Sequence, residues 1–148
     1  MERTLIIIKP DALQRNLVGE ITSRFEKKGL KIIGMKMMQL DDLKLEEHYA
    51  HLKDKPFFGD IKKFMKSYPV LLMVLEGLQV VQAVRLIVGS TNGVEADAGT
   101  IRGDLAMGNK NLVHASDSSE NAQAEIYRFF NEDELFDYMK LDSGMIFD

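Results

Sequence analysis

Val70-Leu71-Leu72-Met73-Val74-Leu75 is an unbroken apolar run. At that length, rich in branched residues, it reads as a strand buried on both faces, because a buried helix would need ten or more such residues. Working upstream, Phe58 to Ser67 and Leu45 to Leu52 read as short helices separated by Pro56. Downstream, Val80, Val84 and Ile87 recur at helical spacing, and Gly89 marks the stop.

The same reading extends to both ends. Thr4 to Ile8 is a buried strand, closed by Lys9-Pro10-Asp11, where the proline cannot donate to a ladder. Val18, Ile21 and Phe25 set a helix from about Gly19 to Lys28, ended by Gly29. Leu30 to Leu40 alternates loosely and reads as a strand. Periodicity is lost from Ser90 to Lys110, a Gly-, Asn- and Asp-rich loop of a length that usually serves a function or is disordered. Leu112 to Ala115 is a short final strand. Asp117 with Glu120 resembles a capping box for a helix through Ala122, Ile126 and Phe129. Residues 131–148 form a tail with scattered apolar positions.

The core order βαββαβ suits an α+β ferredoxin-like sandwich: a four-stranded antiparallel sheet with helices on one face, plus the long loop and a C-terminal extension. Strands and helices also alternate, so a parallel α/β sheet is the rival. The chain of 148 residues, with no linker or repeat, is expected to be one domain over 1–148.

Composition narrows the partners. The net charge of −4 disfavours broad attraction to nucleic acid or an anionic membrane, so an anionic ligand needs a local cluster of cations. No apolar stretch approaches the ~20 residues of a membrane span. There is no cysteine, hence no disulfide and no thiolate metal site. With no targeting segment visible, a cytoplasmic location is the expectation.

Familiar phosphate loops are missing. There is no G-x-G-x-x-G, and Gly29 to Lys36 has Walker-like glycine spacing but Met35 where lysine should stand. Three segments remain. Lys9 ends a buried strand. Arg102 lies between glycines in Gly99-Thr100-Ile101-Arg102-Gly103-Asp104, where a guanidinium suits phosphate oxygens. His114 stands on a short strand just before a helix start, and neutral imidazole is a nucleophile near pH 7. Singly, each reads more simply as a solvated or structural residue. Arg85, inside an apolar helix, needs a partner or a ligand. His48 and His51 at helical spacing read as a surface helix, and Met35, Met37 and Met38 as core or interface packing.

Taken in order, these segments resemble the nucleoside diphosphate kinases. ERTLIIIKPDALQRNLVGEI, EEHYAHLKDKPFF, GTIRGD and NLVHASDS look like the family's opening segment, helix-and-loop, arginine loop and active-site signature. The resemblance runs from Arg3 to about Phe130. It implies phosphoryl transfer from a nucleoside triphosphate to a diphosphate through phosphorylated His114, with ping-pong kinetics. It also implies residue roles: Lys9, Arg85, Arg102 and Thr91 on the phosphates, Phe57 on the base, and Asn111 on the sugar. Tyr49, Ser116 and Glu125 would support the histidine. Mg²⁺ would be held mainly by the nucleotide's phosphates, so no protein metal ligands are expected. A homo-oligomer, most simply a hexamer, is implied, with no membrane and no requirement for nucleic acid. The chain departs from the family in the loop Asn92 to Gly99, which lacks the prolines many relatives carry, and at Ser90, where an acidic residue is common. A binding module that kept the fold without turnover, or an unrelated effector-binding domain, are the readings of other classes.

Overall fold

A computed structural model describes residues 1–148. Four strands, β1 (Glu2–Ile8), β2 (Lys31–Met38), β3 (Val70–Gly77) and β4 (Val113–Ala115), form one sheet in the order β2-β3-β1-β4. Every pairing is antiparallel, which excludes the parallel rival. The helices are α1 (Pro10–Gln14), α2 (Val18–Lys28), α3 (Asp42–His48), α4 (Phe58–Lys66), α5 (Val80–Val88), α6 (Ile101–Leu105), α7 (Ser119–Phe129) and α8 (Ser143–Ile146).

Helices cover both faces of the sheet, not one. Alternate side chains of a strand point to opposite faces, and all of Leu5, Ile6, Ile7 and Ile8 are fully buried. Ile6 and Ile8 pack with Ile21 and Phe25 of α2 and with Val80 and Val84 of α5. Leu5 and Ile7 pack with Leu45 of α3, Met65 of α4, and Ile126 and Phe129 of α7. The two central strands, β1 and β3, therefore carry continuous apolar runs. Each fully buried aliphatic side chain contributes roughly 2 kcal/mol through transfer from water.

Several boundaries differ from the sequence reading. Pro10 opens α1 as well as closing β1, because its fixed φ suits the first helical turn. The loop after α5 contains the short α6, whose start is capped when Thr100 Oγ1 accepts from Gly103 N–H. Ser118, one residue beyond Asp117, caps α7 by accepting from Asn121 N–H at 3.0 Å. The segment from Leu45 breaks at Tyr49, since α3 ends at His48 and a 3₁₀ turn follows at Ala50–Leu52. Met35 and Met37 are exposed on edge strand β2, which removes them from the core and leaves the interface reading.

The tail is tied to β2. A register shift between Ile32 and Gly34 interrupts the pairing with β3. The Ile33 carbonyl there accepts from Phe136 N–H at 2.8 Å, and the Ile32 carbonyl accepts from the Tyr138 hydroxyl. Lys36 reaches Glu134 at 2.8 Å. Gly34 lies under this strap: a Cβ there would sit 2.8 Å from Leu135 Cδ2 and 3.2 Å from the Glu134 carbonyl oxygen. Gly34→Val is therefore expected to lift residues 131–148 while leaving the sheet intact. Limited proteolysis should cut the variant's tail faster than the wild type's, with an unchanged far-UV spectrum. Equal cleavage rates would refute the strap.

Candidate active site

His114 is the middle residue of β4, paired with Ile7 of β1. It lies at the sheet's edge beside a cleft of about 510 Å³. Lys9, Tyr49, Arg85, Thr91, Arg102, Asn111, His114 and Glu125 all line that cleft. Residues as far apart in the chain as Lys9 and Glu125 thus converge because β1 and β4 are neighbours and α5 and α7 pack on opposite faces of them. Two expected site residues fall outside the lining: Ser116, fully buried behind Glu125, and Phe57. Phe57 stands at the start of α4, 47% exposed.

The imidazole is oriented by a carboxylate. His114 Nε2 lies 2.9 Å from Glu125 Oε1, and the Ser116 hydroxyl donates to the same oxygen at 2.7 Å. Ser116, fully buried, is itself held by Leu5 N–H, which donates to Oγ at 3.2 Å. Burial pushes the Glu125 carboxyl upward, but the bonds from His114 and Ser116 win and hold it below its ordinary value. An ionised carboxylate only accepts, so His114 Nε2 carries the proton. Neutral imidazole has one N–H, which leaves Nδ1 with a free lone pair.

A kink in the chain sets the cationic end. Leu112 has φ +73°, a conformation that costs a branched residue strain. Asp11 Oδ2 accepts from its N–H at 3.1 Å, and its carbonyl accepts from Lys9 N–H at 2.9 Å. The kink turns buried Asn111 so that Oδ1 accepts from Lys9 Nζ at 2.9 Å while Nδ2 donates to the Thr91 carbonyl at 2.9 Å. Burial, then repulsion by Arg102, push the Lys9 ammonium down to about 8, against the pull of Asp11.

Arg102 is buried and spends donors on the backbone of neighbouring segments. It donates to the carbonyls of Val113 (2.6 Å), Gly89 (3.1 Å) and Asn111 (3.3 Å). Burial and nearby Arg85 lower its pKa, and the guanidinium remains charged at neutral pH. Arg85 is exposed on α5 and donates at 3.4 Å to the Ala115 carbonyl. Lys9, Arg85 and Arg102 thus gather, with Arg128, in one cleft of a net acidic chain.

His48 was not legible as part of this site. It is 7% exposed, and its ring makes an edge contact with His114, centroids 4.8 Å apart. Tyr49 lines the cleft but packs on His48, centroids 4.7 Å apart, and burial raises its hydroxyl to about 12. Ligand atoms of His48, His114 and Glu125 lie within 4.8 Å of one another. That trio does not suit a resident metal. Arg128 Nη1 occupies the His48 Nδ1 lone pair at 3.0 Å, so the neutral ring's proton is on Nε2 and neither nitrogen is free.

Residues 2–135 match the family model described as nucleoside diphosphate kinase. The nucleoside diphosphate kinase of Parabacteroides distasonis is 55% identical over 139 residues, 93% of this chain and 91% of that protein. Human nucleoside diphosphate kinase A is 48% identical over 148 residues, 99% of this chain and 97% of its own. The structure of the Halobacterium salinarum nucleoside diphosphate kinase in complex with CDP has a TM-score of 0.96 at 42% identity, covering 99% of each chain. The Babesia bovis family member also has a TM-score of 0.96, at 43% identity, covering 99% of this chain and 100% of its own.

Proposed function

Since the chain belongs to the nucleoside diphosphate kinase family, we propose that it moves the γ-phosphoryl group of a nucleoside triphosphate to a nucleoside diphosphate in two half-reactions through phosphorylated His114. The observation that carries this reading is the free Nδ1 lone pair of His114 at the edge of a cleft holding Lys9, Arg85 and Arg102. In the first half-reaction Nδ1 attacks the γ-phosphorus, the bond from phosphorus to the bridging oxygen breaks, and the diphosphate leaves. In the second, another diphosphate enters and its terminal oxygen takes the phosphoryl group back.

The barrier is met by positioning and charge. A triphosphate brings about four negative charges, and the cations of Lys9, Arg85 and Arg102 face them. Glu125 takes the Nε2–H bond and offsets positive charge as Nδ1 is phosphorylated. Asn111 and Thr91 line the sugar and phosphate side. Phe57, exposed beyond the cleft lining, offers a ring face that any base can stack on, which suits an enzyme serving nucleoside and deoxynucleoside triphosphate pools. The trio of possible metal ligands beside His114 does not suit a resident metal, because Arg128 occupies His48 Nδ1 while His114 and Ser116 hold Glu125. That suits Mg²⁺ arriving on the nucleotide, where it supplies charge neutralisation between phosphates. A homo-oligomer, a hexamer in the simplest reading, is supported by the exposed methionines on edge strand β2. No helix is long and apolar enough to cross a membrane, and a cytoplasmic site of action fits the nucleotide substrates.

The direct test incubates the protein with γ-labelled ATP and Mg²⁺, then adds a second diphosphate. An acid-labile, alkali-stable phosphoprotein that is discharged by the diphosphate is expected. Folded protein that stays unlabelled would defeat the reading.

Lys9 makes binding pH-dependent. Its pKa stands at about 8 in the free site, and a polyphosphate beside it favours the charged form. Binding is therefore tightest below that value and weakens as pH rises through it. Above about 8 binding must also take up a proton, which calorimetry of ADP binding in buffers of different ionisation enthalpy would register. Lys9→Met should abolish that uptake. Uptake that persists in the variant would assign the proton to another group.

A further inference from the structure

His48 is buried beside the reacting imidazole, yet the reaction outlined above does not use it. Its ring is enclosed on three sides, by His114 (4.8 Å), Tyr49 (4.7 Å) and Phe129 (5.3 Å between centroids), each in an edge contact. Its Nδ1 accepts from Arg128 Nη1 at 3.0 Å. A guanidinium can only donate, so this bond fixes the tautomer. Burial and the neighbouring His114 push the His48 pKa down to about 3, so the ring is neutral throughout the physiological range.

The source of that bond is informative. Glu125 and Arg128 are three residues apart on α7, and residues at that spacing share one helix face. From one turn, Glu125 fixes the His114 ring through Nε2, and Arg128 fixes the His48 ring that abuts it. Arg128 also approaches Glu47 Oε1 at 3.4 Å, and Lys44 Nζ donates to its carbonyl at 2.6 Å, which ties α3 to α7 beside the cleft. One bond through Nε2 leaves an imidazole free to swing about that axis. A second, rigid contact on its ring removes that freedom.

We propose that His48, held by Arg128, is a positioning residue that sets the plane of the His114 ring so that Nδ1 faces the phosphorus. This inference rests on the phosphohistidine reading of His114. Its neutral state matters because a charged ring here would repel the positive charge that develops on His114 during attack. His48 acts through the His114 ring, so it changes how fast His114 reacts and not how tightly nucleotide binds.

Two variants separate the parts of this device. His48→Asn keeps an oxygen where Nδ1 accepts from Arg128 but removes the ring. His48→Phe keeps the ring but removes the acceptor. The single-turnover rate of phosphohistidine formation is measured with saturating labelled ATP, alongside ADP affinity by calorimetry and thermal unfolding. The rate is expected to fall ~10-fold or more in His48→Asn, because small displacements of a reacting group are costly. His48→Phe should fall less, and ADP affinity should stay within twofold in both. Arg128→Gln should slow the wild type but add nothing in the His48→Phe background, since Arg128 acts through the ring it no longer holds.

Variants that unfold at lower temperature yet label at the wild-type rate would reduce His48 to a core residue and overturn the proposal. A fall in ADP affinity parallel to the rate would overturn it too. Should His48→Asn fail to fold, the Phe variant and the Arg128 pair still decide the matter. Wild-type protein that never labels would instead remove the phosphohistidine reading, and this inference with it.

Discussion

His114→Gln is expected to abolish the labelled phosphoprotein and to lower turnover by a factor on the order of 10⁴ or more, because it removes the ring that Glu125 fixes beside Lys9, Arg85 and Arg102, and with it the Nδ1 lone pair. Lys9 is cationic below about pH 8 and bonded to Asn111. Glu125 is an ionised acceptor between His114 and Ser116, and His48 has no free nitrogen. Glutamine is the informative replacement, since its amide can still donate to Glu125. An alanine would leave that half-buried carboxylate with one partner fewer and confuse stability with chemistry. The variant should therefore unfold near the wild-type temperature and bind ADP with near wild-type affinity, because Lys9, Arg102 and Asn111 are untouched. Turnover that survives, measured as triphosphate formed from a second diphosphate, would mean transfer does not pass through this ring.

The sequence carried the strands well, for a physical reason. Runs such as Thr4 to Ile8 and Val70 to Leu75 are apolar at every position because both faces of the central strands are buried, and that pattern needs no knowledge of what covers them. The same run already argues against a one-faced sheet, since a strand open to water on one side would alternate. What covered the second face was not legible, because it is built from α3, α4 and α7, which are distant in sequence from β1. His48 fails for the same reason. Helical spacing with His51 is a local signal, whereas its burial and its bond to Arg128 span 80 residues of chain. The left-handed Leu112 is equally hidden, since nothing in a leucine announces positive φ and only the bonds with Asp11 and Lys9 sustain it. Resemblance supplied the proposed role of Arg102 on phosphate. It did not supply its second task.

That second task makes Arg102 the other position where a large effect is expected. Its guanidinium joins three carbonyls: Gly89 at the end of α5, and Asn111 and Val113 on either side of the Leu112 kink. The same cation faces the cleft. Arg102→Ala removes a charge from the cleft and takes the guanidinium bonds from those carbonyls, of which only that of Asn111 has a recorded second donor, Val113 N–H at 2.8 Å. Hydrogen bonds from a charged group are worth about 1.5–3 kcal/mol each. Water will replace some of them, so a net loss of about 3 kcal/mol is expected. For a domain of this size that lowers Tm by roughly 6–12 °C. ADP affinity should fall tenfold or more in addition, because one of the three cations assigned to the phosphates is gone and the strand bearing His114 has lost its anchor. Arg102→Lys separates the two tasks: an ammonium restores charge but cannot reach three carbonyls in divergent directions. The lysine variant should recover part of the affinity and little of the Tm, read from thermal unfolding with and without ADP. If lysine restores Tm as fully as affinity, the carbonyl bonds carry no stability and Arg102 is a phosphate ligand alone.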